Sequence, residues 1–187
     1  MTDNWALALA RCAGKYVTVI GDDDGLTPTS MGSAVKVMER SGLELVSWNP
    51  HTYWWPDTTV HWNANLLLTG FESTIERKNS KETLSRNFSM PSGYSELPQV
   101  YNSFVPRRLL EEAESLWGSY FPIEHCPDLV SGYVNLILTE KFAKSGLPLS
   151  VRGNSGASNG VAHWYRKGAR SIREQSLDFE IKNAARN

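Results

Sequence analysis

Cysteine is scarce in this 187-residue sequence: Cys12 and Cys126 stand alone, outside any metal-binding or redox spacing. Their isolation argues against a disulfide scaffold and makes a reduced, cytoplasmic setting the default expectation. Basic charge is not in excess either. Nineteen Lys and Arg face 20 Asp and Glu, for a net charge of −1, whereas a generic nucleic-acid binder is clearly basic. No apolar run approaches the ~18–20 residues that span a bilayer. No transmembrane segment is expected. Met1-Thr2-Asp3-Asn4 lacks a basic stretch leading into an apolar one, so no secretory signal is expected. Repeats and low-complexity linkers are missing too. What remains is 41% apolar and 21% charged, an ordinary globular composition for one domain over 1–187. Seven Trp exceed ordinary usage, and some of them are candidates for stacking surfaces.

The chain opens with an Ala- and Leu-rich segment, 4–13, that reads as a helix capped at its start by Asp3 or Asn4 and ended by Gly14. Tyr16 to Ile20 is a β-rich run without polar alternation, the pattern of a strand buried on both faces. A helix over 29–41 follows Pro28 and closes at Gly42, and 43–48 reads as another buried strand. This order predicts an α/β layer with a mainly parallel sheet. Further on, 66–69 reads as a short strand and 73–89 as polar and helical from Ser80. Helices are predicted over 106–117, with Leu109, Leu110, Ala113, Leu116 and Trp117 as its apolar face, and over 129–145, ending at Gly146. A strand over 148–151 precedes a loop of small polar residues from Arg152 to Gly160.

The strongest chemical signal is Asp22-Asp23-Asp24, directly after a predicted strand and before a helix. Adjacent carboxylates repel unless a positive charge is near. A hard divalent cation with oxygen ligands answers that need, and the carboxyl ends of strands in α/β sheets are where ligands gather. An acidic turn is the plain alternative, since Asp24-Gly25 is a turn dipeptide.

The stretch from Asn4 to Pro28, N-W-A-L-A-L-A-R-C-A-G-K-Y-V-T-V-I-G-D-D-D-G-L-T-P, resembles the centre of a family 2 glycosyltransferase of the GT-A fold. In that family a helix ending A-x-G-[KE]-Y leads into a strand that ends in an Asp-x-Asp motif, followed by leucine and proline. Leu97-Pro98 with Tyr101 to Arg107 resembles the segment that re-enters the sheet near the acceptor. Pro127-Asp128 resembles the position of the acceptor-side carboxylate. The resemblance implies a partial GT-A, Rossmann-like mixed sheet flanked by helices. It also implies a nucleotide-sugar donor, a glycan or other hydroxyl acceptor, and Mn or Mg. The elements that hold the base and ribose precede the motif in that family, and here the motif arrives at Asp22. The expectation is therefore the C-terminal portion of such an enzyme or a shortened homologue, with the activity of this chain alone in doubt.

Counting back from Pro28 puts Gly21 where many members carry their first Asp and makes Asp23 the metal ligand, with Asp22 beside it. Reading the triplet literally as Asp-x-Asp makes Asp24 the ligand instead. The partner carboxylates are then left to act through ribose or metal-bound water. Asp128 is the candidate general base, with helix capping as its structural alternative and Glu124 as the next candidate. His163 is the histidine best placed as a further metal ligand; His51, His61 and His125 are scattered. Ser155, Ser158 and Asn159 are candidates for diphosphate contact through hydroxyls and backbone N–H groups, a helix cap being the alternative for Ser155. The Trp-rich stretch 48–62 is read either as a surface on which the acceptor sugar stacks or as core. A bare edge on strand 16–20 would favour a homo-oligomer. Two competing functions remain: a Mg-dependent phosphotransfer domain and a non-catalytic carbohydrate-binding module.

Overall fold

A computed structural model describes residues 2–58, 65–70, 72–89, 94–123 and 126–156. The chain begins with α1 (Thr2–Ala10), β1 (Tyr16–Val17), β2 (Gly25–Leu26), α2 (Ser30–Ser41), β3 (Val46–Trp48) and β4 (His51–Trp54). It continues through β5 (Leu67–Leu68), β6 (Ile75–Asn79), α3 (Ser80–Ser89) and a 3₁₀ turn at Tyr94–Glu96. β7 (Ser103–Pro106), α4 (Arg107–Trp117), α5 (Pro127–Ile137), β8 (Lys141–Ser145) and β9 (Ser150–Asn154) complete the described elements.

The strands form two sheets, a five-stranded one in the order β1-β7-β3-β8-β6 and a four-stranded one in the order β2-β9-β4-β5. This is the expected mixed α/β architecture, but the larger sheet is not mainly parallel. β7 inserts antiparallel between β1 and β3, and β6 lies antiparallel on β8. Among the described pairs only β3 with β8 and β4 with β9 run parallel.

Helices cover both faces of the larger sheet. On one face, Ala34 and Val37 of α2 meet Trp48, Phe104, Val46 and Ala143. On the other, Leu109, Leu110, Val130 and Val134 of α4 and α5 close over Val17, Val105 and Phe142. β3 is covered on both faces and paired on both sides, which is why Val46, Ser47 and Trp48 are all fully buried. The indole N–H of Trp48 donates to Ser150 Oγ at 2.7 Å, which removes the cost of burying that polar group and ties the two sheets together.

Some elements differ from the sequence expectation. α1 stops at Ala10 and Gly14 lacks a positive φ, so it is no left-handed cap; Gly42, at φ 67°, is one, as expected for α2. Among the described residues β1 pairs on one side only and forms an edge, and Ile20 is 44% exposed. The helix expected over 129–145 ends at Ile137, and β8 takes up the rest. Leu116 and Trp117 point outward from α4 and do not join its buried face.

Three strands of the larger sheet hand the chain directly to the smaller one: β1 to β2, β3 to β4, and β8 to β9. The first crossing is the Asp22–Asp24 turn. β9 settles between β2 and β4, so its residues Arg152 to Asn154 lie beside that turn.

Candidate active site

The acidic turn is built by its own last carboxylate. Gly21 N–H donates to Asp24 Oδ2 at 3.0 Å, and Asp24 N–H returns to Gly21 O at 3.3 Å. The other oxygen of Asp24 accepts the Gly153 N–H of β9 at 2.9 Å. Asp24 thus pins the turn to the strand, and charge-assisted bonds of this kind are the strong ones. The triplet is therefore not a set of equivalent ligands: Asp22 is exposed, Asp24 holds the backbone, and Asp23 is half-buried between them. Asp23 Oδ2 accepts the Ser155 hydroxyl at 3.2 Å. Burial first, and then the charges of Asp24 and Asp22, raise the Asp23 carboxyl above its ordinary value, while the Ser155 bond opposes them.

Two further residues close this arrangement. A Cβ on Gly153 would fall on the Asp23 carbonyl oxygen and 2.8 Å from Trp55 Nε1, so only a bare backbone lets β9, the turn and the indole meet. Trp55 N–H donates to Asn154 O at 3.1 Å, and Gly156 N–H donates to Asp57 Oδ1 at 3.1 Å. Sequence reading singled out Ser155 but missed Gly153. The run of small residues from Arg152 to Gly160 is the signal for such a close approach.

Alternation along β9 sends Arg152 to the opposite face from Gly153. There its guanidinium bonds Thr52 Oγ1 at 3.3 Å and the hydroxyl of Tyr101. Burial chiefly, then the negative charge of Asp128, raises the Tyr101 phenol; Arg152 opposes that shift and Asp24 adds to it. Tyr101 therefore lies within electrostatic reach of Asp128, Arg152 and Asp24 together, a junction that sequence reading did not find. Asp128 sits in the first turn of α5, one residue after Pro127. The N-cap position is Cys126, at φ 51°, and no side chain caps that end. The capping role open to Asp128 in the sequence is thus not the one it plays, although a carboxylate in a first helical turn still suits the helix dipole.

Glu124, His125, His61, Trp62, Ser158, Asn159 and His163 lie outside the described residues. Of the remaining Trp-rich stretch, Trp48 and Trp54 are buried and Trp55 is 41% exposed, so most of it is core and one ring is surface. His51 is half-buried, and its Nδ1 has no hydrogen-bond partner among the described residues. Among the described residues, no group of three or more His, Cys, Asp or Glu is placed to hold a metal ion. None of the described helices is long and apolar enough to cross a membrane.

No protein-family model matches the sequence, and no curated protein matches it. A solved structure does resemble the fold: S. aureus TarS 1-349 in complex with UDP-GlcNAc, at TM-score 0.56 and 12% identity over 86% of this chain. The chain spans 40% of the length of that protein. At this identity the likeness establishes a glycosyltransferase-like fold, in keeping with a partial GT-A arrangement of two mixed sheets flanked by helices.

Proposed function

We propose that this chain is the metal- and acceptor-handling part of a glycosyltransferase that moves a sugar from a nucleotide-sugar donor to an acceptor hydroxyl. The observation that carries this reading is the docking of the acidic turn on β9, which sets Ser155 against Asp23 and brings Asp24, Arg152 and Asp128 within electrostatic reach of Tyr101. The fold shared with a protein solved with UDP-GlcNAc supports it.

The donor set suits Mg²⁺ or Mn²⁺. Asp23 is a half-buried hard-oxygen ligand whose neighbours Asp22 and Asp24 disfavour its charge, and a cation would relieve that. One or two carboxylates are what such ions take when phosphate and water complete the shell, so a cage of three protein ligands is not required. Asp23 would hold the ion, with Asp24 fixing the turn behind it and His163 as a further candidate. When bound, the ion supplies Lewis-acid stabilisation of the departing diphosphate.

The chain's own groups do the rest. Ser155 orients Asp23 through its one hydroxyl proton. Asp22, exposed at the tip of the turn, is placed for the donor ribose. Asp128 takes the acceptor proton as the acceptor oxygen bonds to the anomeric carbon and the bond from that carbon to the diphosphate breaks. A single displacement of this kind inverts the anomeric centre. Tyr101 is hydrogen-bonded to Arg152 and lies within electrostatic reach of Asp128.

The test is Asp128→Asn, assayed with UDP-GlcNAc in Mn²⁺ for transfer of the sugar to an acceptor with release of UDP. The amide keeps size and hydrogen-bond acceptance and loses the ability to take a proton. Turnover should vanish while donor binding persists. Full turnover in the variant would remove Asp128 from the chemistry and pass the role to Glu124.

A further inference from the structure

Trp55 breaks the pattern of its neighbours. Trp48 is wholly buried and Trp54 nearly so, yet Trp55 leaves 41% of its surface open. Its position is fixed: the ring makes an edge contact with Tyr53 at 5.6 Å between centroids, and its backbone is bonded on both sides, to Asn154 O at 3.1 Å and from Thr58 N–H at 3.1 Å. The indole N–H edge closes over Gly153 next to the Asp23 backbone. A rigid, partly open aromatic ring therefore stands across a bare glycine from the carboxylate that carries the metal role.

We infer that Trp55 is the platform on which the sugar ring of the donor stacks; this rests on the donor-site reading given above. A hexose has an apolar C–H face that an aromatic ring covers and a hydroxyl rim that carboxylates and hydroxyls accept. Both lie here on one face of the smaller sheet, with Trp55 supplying the first and Asp23 and Ser155 the second. The donor sugar is the occupant, not the acceptor, because Trp55 shares its face of β9 with Asp23. Arg152, which bonds Tyr101, projects from the other face.

The experiment is calorimetric titration in Mn²⁺ of wild type, Trp55→Ala and Trp55→Phe. The probes are UDP and whichever of UDP-glucose, UDP-galactose and UDP-GlcNAc binds wild type most tightly. Trp55→Ala should lose about tenfold in affinity for the UDP-sugar, equivalent to about 1.4 kcal/mol. It should bind UDP as wild type does, which also shows that it is folded. Trp55→Phe should retain most of the sugar affinity. An equal loss for UDP and UDP-sugar, or no loss for either, overturns the platform. So does binding of an N-acetylglucosamine oligosaccharide that depends on Trp55 while UDP-sugar binding does not, since that makes the ring an acceptor surface. Failure of wild type to bind UDP at all overturns the donor-site reading, and the platform with it.

Discussion

Replacing Gly153 by alanine is the sharpest structural test of how the acidic turn is held. The added methyl would overlap the Asp23 carbonyl oxygen and lie 2.8 Å from Trp55 Nε1. Neither is the far end of a flexible chain, so the turn and β9 must separate or the indole must swing away. Overpacking of this kind costs ~1–3 kcal/mol. At this chain length each kcal/mol moves the melting temperature by about 2–4 °C, so a fall of about 2–12 °C is expected. The separation also stretches the Gly153 N–H bond to Asp24, now 2.9 Å, and withdraws Ser155 from Asp23. Gly25→Ala is the control, because a Cβ there meets nothing within 4 Å. Thermal unfolding followed by circular dichroism, with and without Mn²⁺, reads both effects. If Gly153→Ala melts with Gly25→Ala and keeps its response to Mn²⁺, the close approach of turn, strand and indole is refuted.

Asp23→Asn should raise the melting temperature at neutral pH when no divalent cation is present. The carboxyl is raised above its ordinary 3.8, chiefly by burial, so its charged form works against the fold at neutral pH. That penalty is complete above the raised folded value and is gone below 3.8, so the gain from Asn should shrink as the pH falls through this window. Equal melting of wild type and variant at neutral pH would show that Asp23 carries no such penalty. Gly32→Ala, within α2 and with nothing near its Cβ, should stabilise by ~0.5–1 kcal/mol, measured by urea denaturation; a loss of stability would contradict the open space seen there.

The sequence was most informative where local chemistry decides structure. Gly42 ends α2 because a left-handed cap favours glycine, and Pro106 precedes α4 because proline tolerates a helix start. The unbroken apolar run of β1 was harder to read. Its composition is that of a buried strand, but partners are set by topology, and β7 occupies one side only. The break between α5 and β8 has no glycine or proline to mark it; Leu138 closes the helix on Val134 O and the chain extends from Lys141. At the site, Asp23 and Ser155 were named from their residue types and do meet. Their division of labour with Asp24 was hidden, because which carboxylate turns back to bond the backbone depends on where β9 lies. Tyr101 opens the segment that resembles the acceptor-side re-entry and Arg152 opens the small-residue loop, but they are far apart in sequence, so only the tertiary fold joins them.

Calorimetric titration of UDP-GlcNAc into wild type and Asp23→Ala, each in Mn²⁺ and again in EDTA, tests the central claim most directly. The account predicts binding by wild type in Mn²⁺, its loss in EDTA, and its loss in Asp23→Ala under both conditions. Binding that is the same in all four titrations, or absent from wild type in Mn²⁺, would contradict it.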